Sequence, residues 1–177
     1  MGTGIVPGLL QTPGYAAAIM ERVSRTWGRT DIAEAVAARM RRQEILRDTS
    51  KQFRIVITEA VLLYNLCPPD EMAGQIERLR EATTLPNVRL GIIPFDQPMI
   101  VTPKHPFGIH DDRLVVVETV SALLQLTQSD EVEAYATAFD ALERSAVHGE
   151  RARAVLRGAA ARVAAREIDE RHIDEKH

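Results

Sequence analysis

Residues 32–47 contain neither glycine nor proline, and on a helical net Ile32, Val36, Met40 and Leu46 share one apolar sector. Gln43 falls near the centre of that sector with Arg39 close beside it, while Arg41 points the opposite way. No other stretch constrains the fold so tightly. A helix that turns an amide and a guanidinium inward has to meet hydrogen-bonding groups there, because an unpaired buried amide costs about 1 to 3 kcal/mol. Two roles are open for the pair. In the structural role Arg39 pairs with Glu59 or Glu118 at a strand end and Gln43 satisfies loose backbone groups. In the functional role both face a pocket and hold a ligand or a peptide.

The remaining segments predict an α+β chain. Arg29-Thr30-Asp31 offers a cap for the helix just described, and Thr12 caps an earlier one that begins at Pro13 and carries Ala16, Ile19, Met20 and Val23 at helical spacing. Trp27 reads as a core anchor at the end of that first helix. Phe53, Ile55 and Ile57 alternate with Arg54, Val56 and Thr58 as in a half-buried strand, followed by a short helix over residues 59–65. Pro68-Pro69-Asp70 starts a helix bearing Met72, Ile76 and Leu79, and residues 88–93 form a second strand. Residues 107–110, 114–118 and 122–126 lie close together, which favours an antiparallel meander whose first turn is Asp111-Asp112. Val132, Tyr135, Phe139, Leu142 and Ala146 make a helical stripe, and a final alanine-rich helix covers residues 150–166. The expected architecture is a small, mostly antiparallel sheet of about five strands packed with helices and ending in a C-terminal helical segment. One domain over residues 1–166 and a charged tail over 167–177 are expected.

The opening string Val6-Pro7-Gly8-Leu9-Leu10-Gln11-Thr12-Pro13-Gly14-Tyr15-Ala16 begins a series of matches that continues through the chain. Arg39 with Arg42-Gln43 follows, then the strand from Phe53 to Ala60, Met72 with Gln75-Ile76 and Leu79, and Asn87-Val88 running to Ile93-Pro94-Phe95. Phe107-Gly108-Ile109, Val115-Val116-Val117-Glu118-Thr119, Tyr135, Phe139 and Leu142 close the series. In that order these motifs resemble the uncharacterised C-terminal domain carried behind a helix-turn-helix by many actinobacterial transcriptional regulators of the XRE type, including the WhiJ-like regulators. The resemblance implies a regulatory domain that senses a ligand or a partner protein, with an antitoxin-like interaction role as the alternative, and it transfers no catalytic residue. No helix-turn-helix precedes Val6, so DNA would be reached only through a head absent from this chain.

Charge agrees with that expectation. The 177 residues carry 22 basic and 25 acidic side chains, a net charge of -3, so no overall field draws the chain to phosphate backbones. Cys67 is the one cysteine, which rules out an internal disulfide and a cysteine-based zinc cluster and suits a reducing cytoplasm. No apolar run is long enough to span a membrane. His105, His110, Asp111, Asp112 and Glu118 are the one cluster of side chains suited to catalysis or metal binding, but their spacing matches no strong metal motif and Asp111-Asp112 suits a turn. A metal-dependent hydrolase is therefore the minor alternative, and neither an enzyme nor a cofactor is expected. The residues between Asp96 and Pro106 form a proline-punctuated loop with Met99, Ile100 and Val101, long enough to suggest docking or gating. The ligand or partner site is placed between Pro7, Leu10 and Gln11, the helix positions Arg39 and Gln43, and the acids Glu59 and Glu118, with Phe95 and Phe107 as apolar walls. The occupant is an unknown small molecule or small companion protein, and a homodimer is left open.

Overall fold

A computed structural model describes residues 4–28 and 31–174, with side chains excepted at residues 26–27 and 167–174. The central feature is a pair of parallel strands, β1 (Phe53–Thr58) and β2 (Val88–Ile93), in register from Phe53 opposite Val88 to Thr58 opposite Ile93. Parallel pairing needs a long crossover, and helix α3 (Pro69–Ala82) supplies it. The expected five-strand sheet is thus corrected to two sheets, because β3 (Phe107–His110), β4 (Leu114–Glu118) and β5 (Leu123–Leu126) pair separately as an antiparallel meander in the order β3-β4-β5. Its first turn is the expected one, with Asp111 and Asp112 at φ 50° and 54°, the left-handed conformations that a tight hairpin of matching twist requires.

Successive residues of the parallel pair face opposite layers. Ile55, Ile57, Val88, Leu90 and Ile92 pack against helices α1 (Pro13–Trp27), α3 and α5 (Gly149–Asp174). Val56 and Ile93 face the other way, into a second cluster with Phe107, Val115 and Val117 of the meander and Val132, Phe139 and Leu142 of α4 (Ser129–Arg144). The half-buried strand expected at residues 53–58 is therefore buried on both faces at its centre, since Val56 has no exposure. Near the start of the two strands Arg54 takes up Asp140 and Glu143 on α4, Arg89 joins Glu143, and the Arg54 guanidinium sits 5.0 Å from the centre of the Phe139 ring. Past α4, Val147 exchanges two backbone hydrogen bonds with Ile92, at 2.8 and 3.0 Å, and so fixes the start of α5 to the edge of β2.

Helix α2 (Ile32–Arg42) does not run on to Arg47 as a single α-helix; it tightens into a 3-10 turn over Gln43–Arg47, which buries Leu46 and leaves Ile45 outside. The short helix after β1 is likewise a 3-10 turn, Glu59–Leu62. Thr12 does cap α1, accepting from the Tyr15 amide at 3.3 Å with Pro13 in the first helical position. The Arg29-Thr30 part of the second cap and the Trp27 side chain lie outside the described residues. The backbone of α5 continues to Asp174, so the charged tail expected from residue 167 is helical over that range, and residues 175–177 lie outside the description. Among the described residues no helix is long and apolar enough to cross a membrane.

Candidate functional site

The opening segment, with its 3-10 turn Gly8–Leu10, is almost entirely held by side-chain amides from distant elements. Gln43 Nε2 donates to the carbonyl oxygens of Gly8 and Gln11, each at 2.8 Å. Gln75, fully buried on α3, donates to the Leu10 carbonyl at 2.8 Å and accepts from the Thr12 amide at 2.8 Å. The Gln11 side chain turns back to donate to the Val6 carbonyl at 2.7 Å, and the Val6 amide donates to the Tyr15 hydroxyl at 3.3 Å. A segment too short and irregular for a ladder thereby has four carbonyls and two amides partnered inside the protein. Among the described residues no buried side-chain nitrogen or oxygen lacks a partner.

Arg39 completes this clasp from α2. Its Nη1 donates to Gln11 Oε1 at 2.7 Å, and its stem crosses the Gly8 backbone so closely that a methyl group there would lie 3.6 Å from Nε. The expected pairing of Arg39 with Glu59 or Glu118 is corrected: a neutral amide holds it, because Gln11 is pinned at Val6 with its oxygen aimed at α2. The guanidinium is half-buried, and its other N–H groups meet no acceptor among the described residues. Burial pulls Arg39 below its ordinary range, the Glu118 carboxylate pushes the other way, and Arg42 adds to the lowering. Glu118 thus bears on Arg39 through space from the end of β4 without touching it.

The other expected site residues lie in different surroundings. Pro7, Leu10, Gln11, Arg39 and Gln43 come together, with Leu10 sealed in the core. Glu59 is a buried tie, accepting from the Phe95 amide at 3.0 Å and from Arg162 of α5 at 3.1 Å. Phe95 stands 64% exposed, and Phe107 is buried against Tyr135 and Phe139. The loop after β2 is fastened at both Phe95 and Ile100, whose amide donates to Ser145 Oγ at 3.1 Å, and Val101 packs on the second core cluster and is not fully outside as its composition suggests. Gln75 is the member of the clasp that sequence reasoning did not single out as a polar anchor. A glutamine beside Met72, Ile76 and Leu79 on the apolar face of α3 is the same signal that marked Gln43.

His105 packs against Tyr135, His110 and the two aspartates stay at their exposed turn, and among the described residues no three metal-ligating side chains converge. Burial, with help from Glu71 and Asp70, pushes the Cys67 thiol up to about 11, which favours its protonated form, and its sulfur lies 3.9 Å from that of Met72. A groove of about 430 Å³ between α1 and residues 65–69 is open to solvent, and Arg22 crosses it to donate to the Leu66 carbonyl at 2.7 Å.

Comparison with known proteins gives one family. Searches of curated proteins and of solved structures find no match. A family model, described as a domain of unknown function (DUF5753), matches residues 1–158 and so takes in both core clusters up to the middle of α5, together with the whole amide clasp. The chain belongs to that domain family.

Proposed function

We propose that this chain is the regulatory domain of an XRE-type helix-turn-helix transcriptional regulator, cytoplasmic and without catalytic activity, which binds a small effector or a small companion protein on the shelf around Arg39. The observation that carries this reading is the Arg39 guanidinium, fixed by Gln11, half-buried, and left with N–H donors that no acceptor among the described residues uses. Such a fork is matched to a carboxylate, phosphate or exposed carbonyl. Glu118 nearby supplies the opposite charge, so a ligand carrying both an acceptor and a cation, or a polypeptide segment, fits better than a bare anion.

A signal from this site needs no chemistry. Arg39 holds Gln11, and Gln11 holds the Val6 carbonyl, so an occupant that draws Arg39 away loosens the opening segment, and one that fastens it tightens that segment. In a regulator whose DNA-binding head lies upstream, that is a population shift between two arrangements of the segment next to the head. Binding of duplex DNA by this chain itself is not part of the reading, given its net charge of -3.

A second reading, the antitoxin-like interaction module, draws on the exposed Phe95, Met99 and Ile100, an apolar patch on a loop tied down at two points. Native mass spectrometry of the chain purified from its source cells tests both. A bound small molecule or protein retained by Arg41→Ala and lost from Arg39→Ala supports the first reading. Retention by both, with loss from Phe95→Ser, moves the site to the loop.

A further inference from the structure

Strand β5 borders the antiparallel sheet, and among the described residues no strand pairs with its outer edge. Leu123 and Leu124 are 59% and 44% exposed, and Val120 in the preceding turn is 86% exposed. The register sets Leu124 beside Val117 and Leu126 beside Val115, on the face that packs against α4. Val115 and Val117 are buried there, but Leu124 projects past the cover, so the apolar face continues into solvent. The hairpin bond from the Thr119 amide to the Ala122 carbonyl, at 2.9 Å, sets the phase of the ladder. By the alternation of antiparallel pairs, Leu124 and Leu126 exchange their bonds with β4, while Leu123 and Gln125 turn their N–H and C=O groups outward. From Thr119 to Ser129 the chain has no charged residue and no proline, the usual devices that keep an exposed edge from pairing.

We propose that β5 pairs antiparallel with β5 of a second copy of this chain, about a two-fold axis at Leu124. The outward groups dictate the register: Leu123 exchanges backbone hydrogen bonds with Gln125 of the second copy, and Gln125 with Leu123 of the second copy. Leu124 then lies opposite its own counterpart in a non-hydrogen-bonded pair, where side chains approach most closely. The face shared with α4 becomes Ala122, Leu124 and Leu126 from both copies, all apolar. Charge selects the occupant. A charge at the axial position would face its own copy across the axis, and a charged foreign strand is chosen by charges that complement it; here Leu124 sets two apolar side chains at the axis, and the strand carries no charge for a foreign strand to complement, so a second copy fits it. The joined meanders form one continuous sheet with its former edges buried at the centre. This inference is independent of any ligand at Arg39.

Analytical ultracentrifugation of the chain over about a hundredfold range of concentration tests it. The expected result is a monomer–dimer equilibrium that is abolished by Leu124→Lys, which sets two ammonium groups at the axis, and by Gln125→Pro, which deletes an outward N–H and no bond to β4. Unchanged circular dichroism and melting of each variant at low concentration separate lost pairing from lost fold. Leu124→Cys should in addition form an intermolecular disulfide under mild oxidation faster than Leu123→Cys, since cross-axis Cα atoms of a non-hydrogen-bonded pair stand about 4.5 Å apart, within disulfide reach. A monomer at every concentration, a dimer that survives both substitutions, or equal cross-linking of the two cysteine variants overturns the proposal.

Discussion

Gln75 donates its side-chain N–H to the Leu10 carbonyl at 2.8 Å from a position without solvent exposure, joining residues 65 apart in the chain. The same amide accepts from Thr12, so one side chain does for the opening segment what a neighbouring strand does in a sheet. The clasp is therefore a structural element as much as either sheet, and its worth is measurable residue by residue.

Gln75→Leu keeps the volume and removes both hydrogen bonds, leaving the Leu10 carbonyl and the Thr12 amide without partners. The expected loss is about 2 to 4 kcal/mol in chemical denaturation, with the slope unchanged. Gln75→Glu retains the acceptor but buries a charge and loses the donor, and should be no more stable than the leucine variant. A loss below about 0.5 kcal/mol for Gln75→Leu would show that water satisfies the segment as well as the amide does.

Gln43→Ala should cost about 1 to 2 kcal/mol, because its nitrogen serves two carbonyls, whereas Arg41→Ala on the exposed face should stay within about 0.5 kcal/mol of the parent. Thermal and denaturant unfolding of the pair decides the point. Equal losses would place the contribution of this helix in its surface charge instead of its clasp.

Acid should loosen the contact between α4 and the parallel strands. The hydrogen bond from Arg54 holds the Glu143 carboxyl below the usual carboxylate range against the opposing effect of burial, and Arg89 and His148 add to the lowering. A depressed folded pKa stabilises fully above the unfolded value, near 4.5, and that contribution is lost as pH falls from there through the folded pKa. Melting temperature should therefore drop from about pH 5 to pH 3 less steeply in Glu143→Gln, which has no proton to gain, although that variant starts lower at neutral pH. Parallel curves for the two proteins would assign the acid sensitivity to other groups.

Two glycines should respond in opposite directions. A Cβ at Gly91 would lie 2.6 Å from His148 Cε1 and 2.9 Å from Ala146 Cβ, in a crossing that the Ile92–Val147 hydrogen bonds hold shut. Gly91→Ala should cost about 1 to 3 kcal/mol through overpacking. At Gly74, exposed on α3 with nothing within 4 Å of the added carbon, alanine should raise stability by up to about 1 kcal/mol through helix propensity. Calorimetric melting of both variants checks the signs.

What the sequence by itself determined is local. The 3.6-residue stripes placed α3 and α4, the alternation of residues 53–58 marked a strand, Asp111-Asp112 marked a hairpin, and the inward phase of Gln43 followed from its angular position on the helix. These are properties of a few neighbouring residues, and periodicity reports them directly. Tertiary structure alone decided the pairing. Nothing local says that β1 and β2 lie parallel, that Phe53 meets Val88, or that the meander stands apart as a second sheet. The site divided for the same reason: Arg39 reaches Gln11 instead of an acid, and Glu59 binds Arg162 and Phe95, because which polar groups meet is set by how layers stack across separations of 28, 36 and 103 residues. A buried amide has to find a partner, and that requirement is written in the sequence; which partner it finds depends on the packing of the apolar faces that surround it.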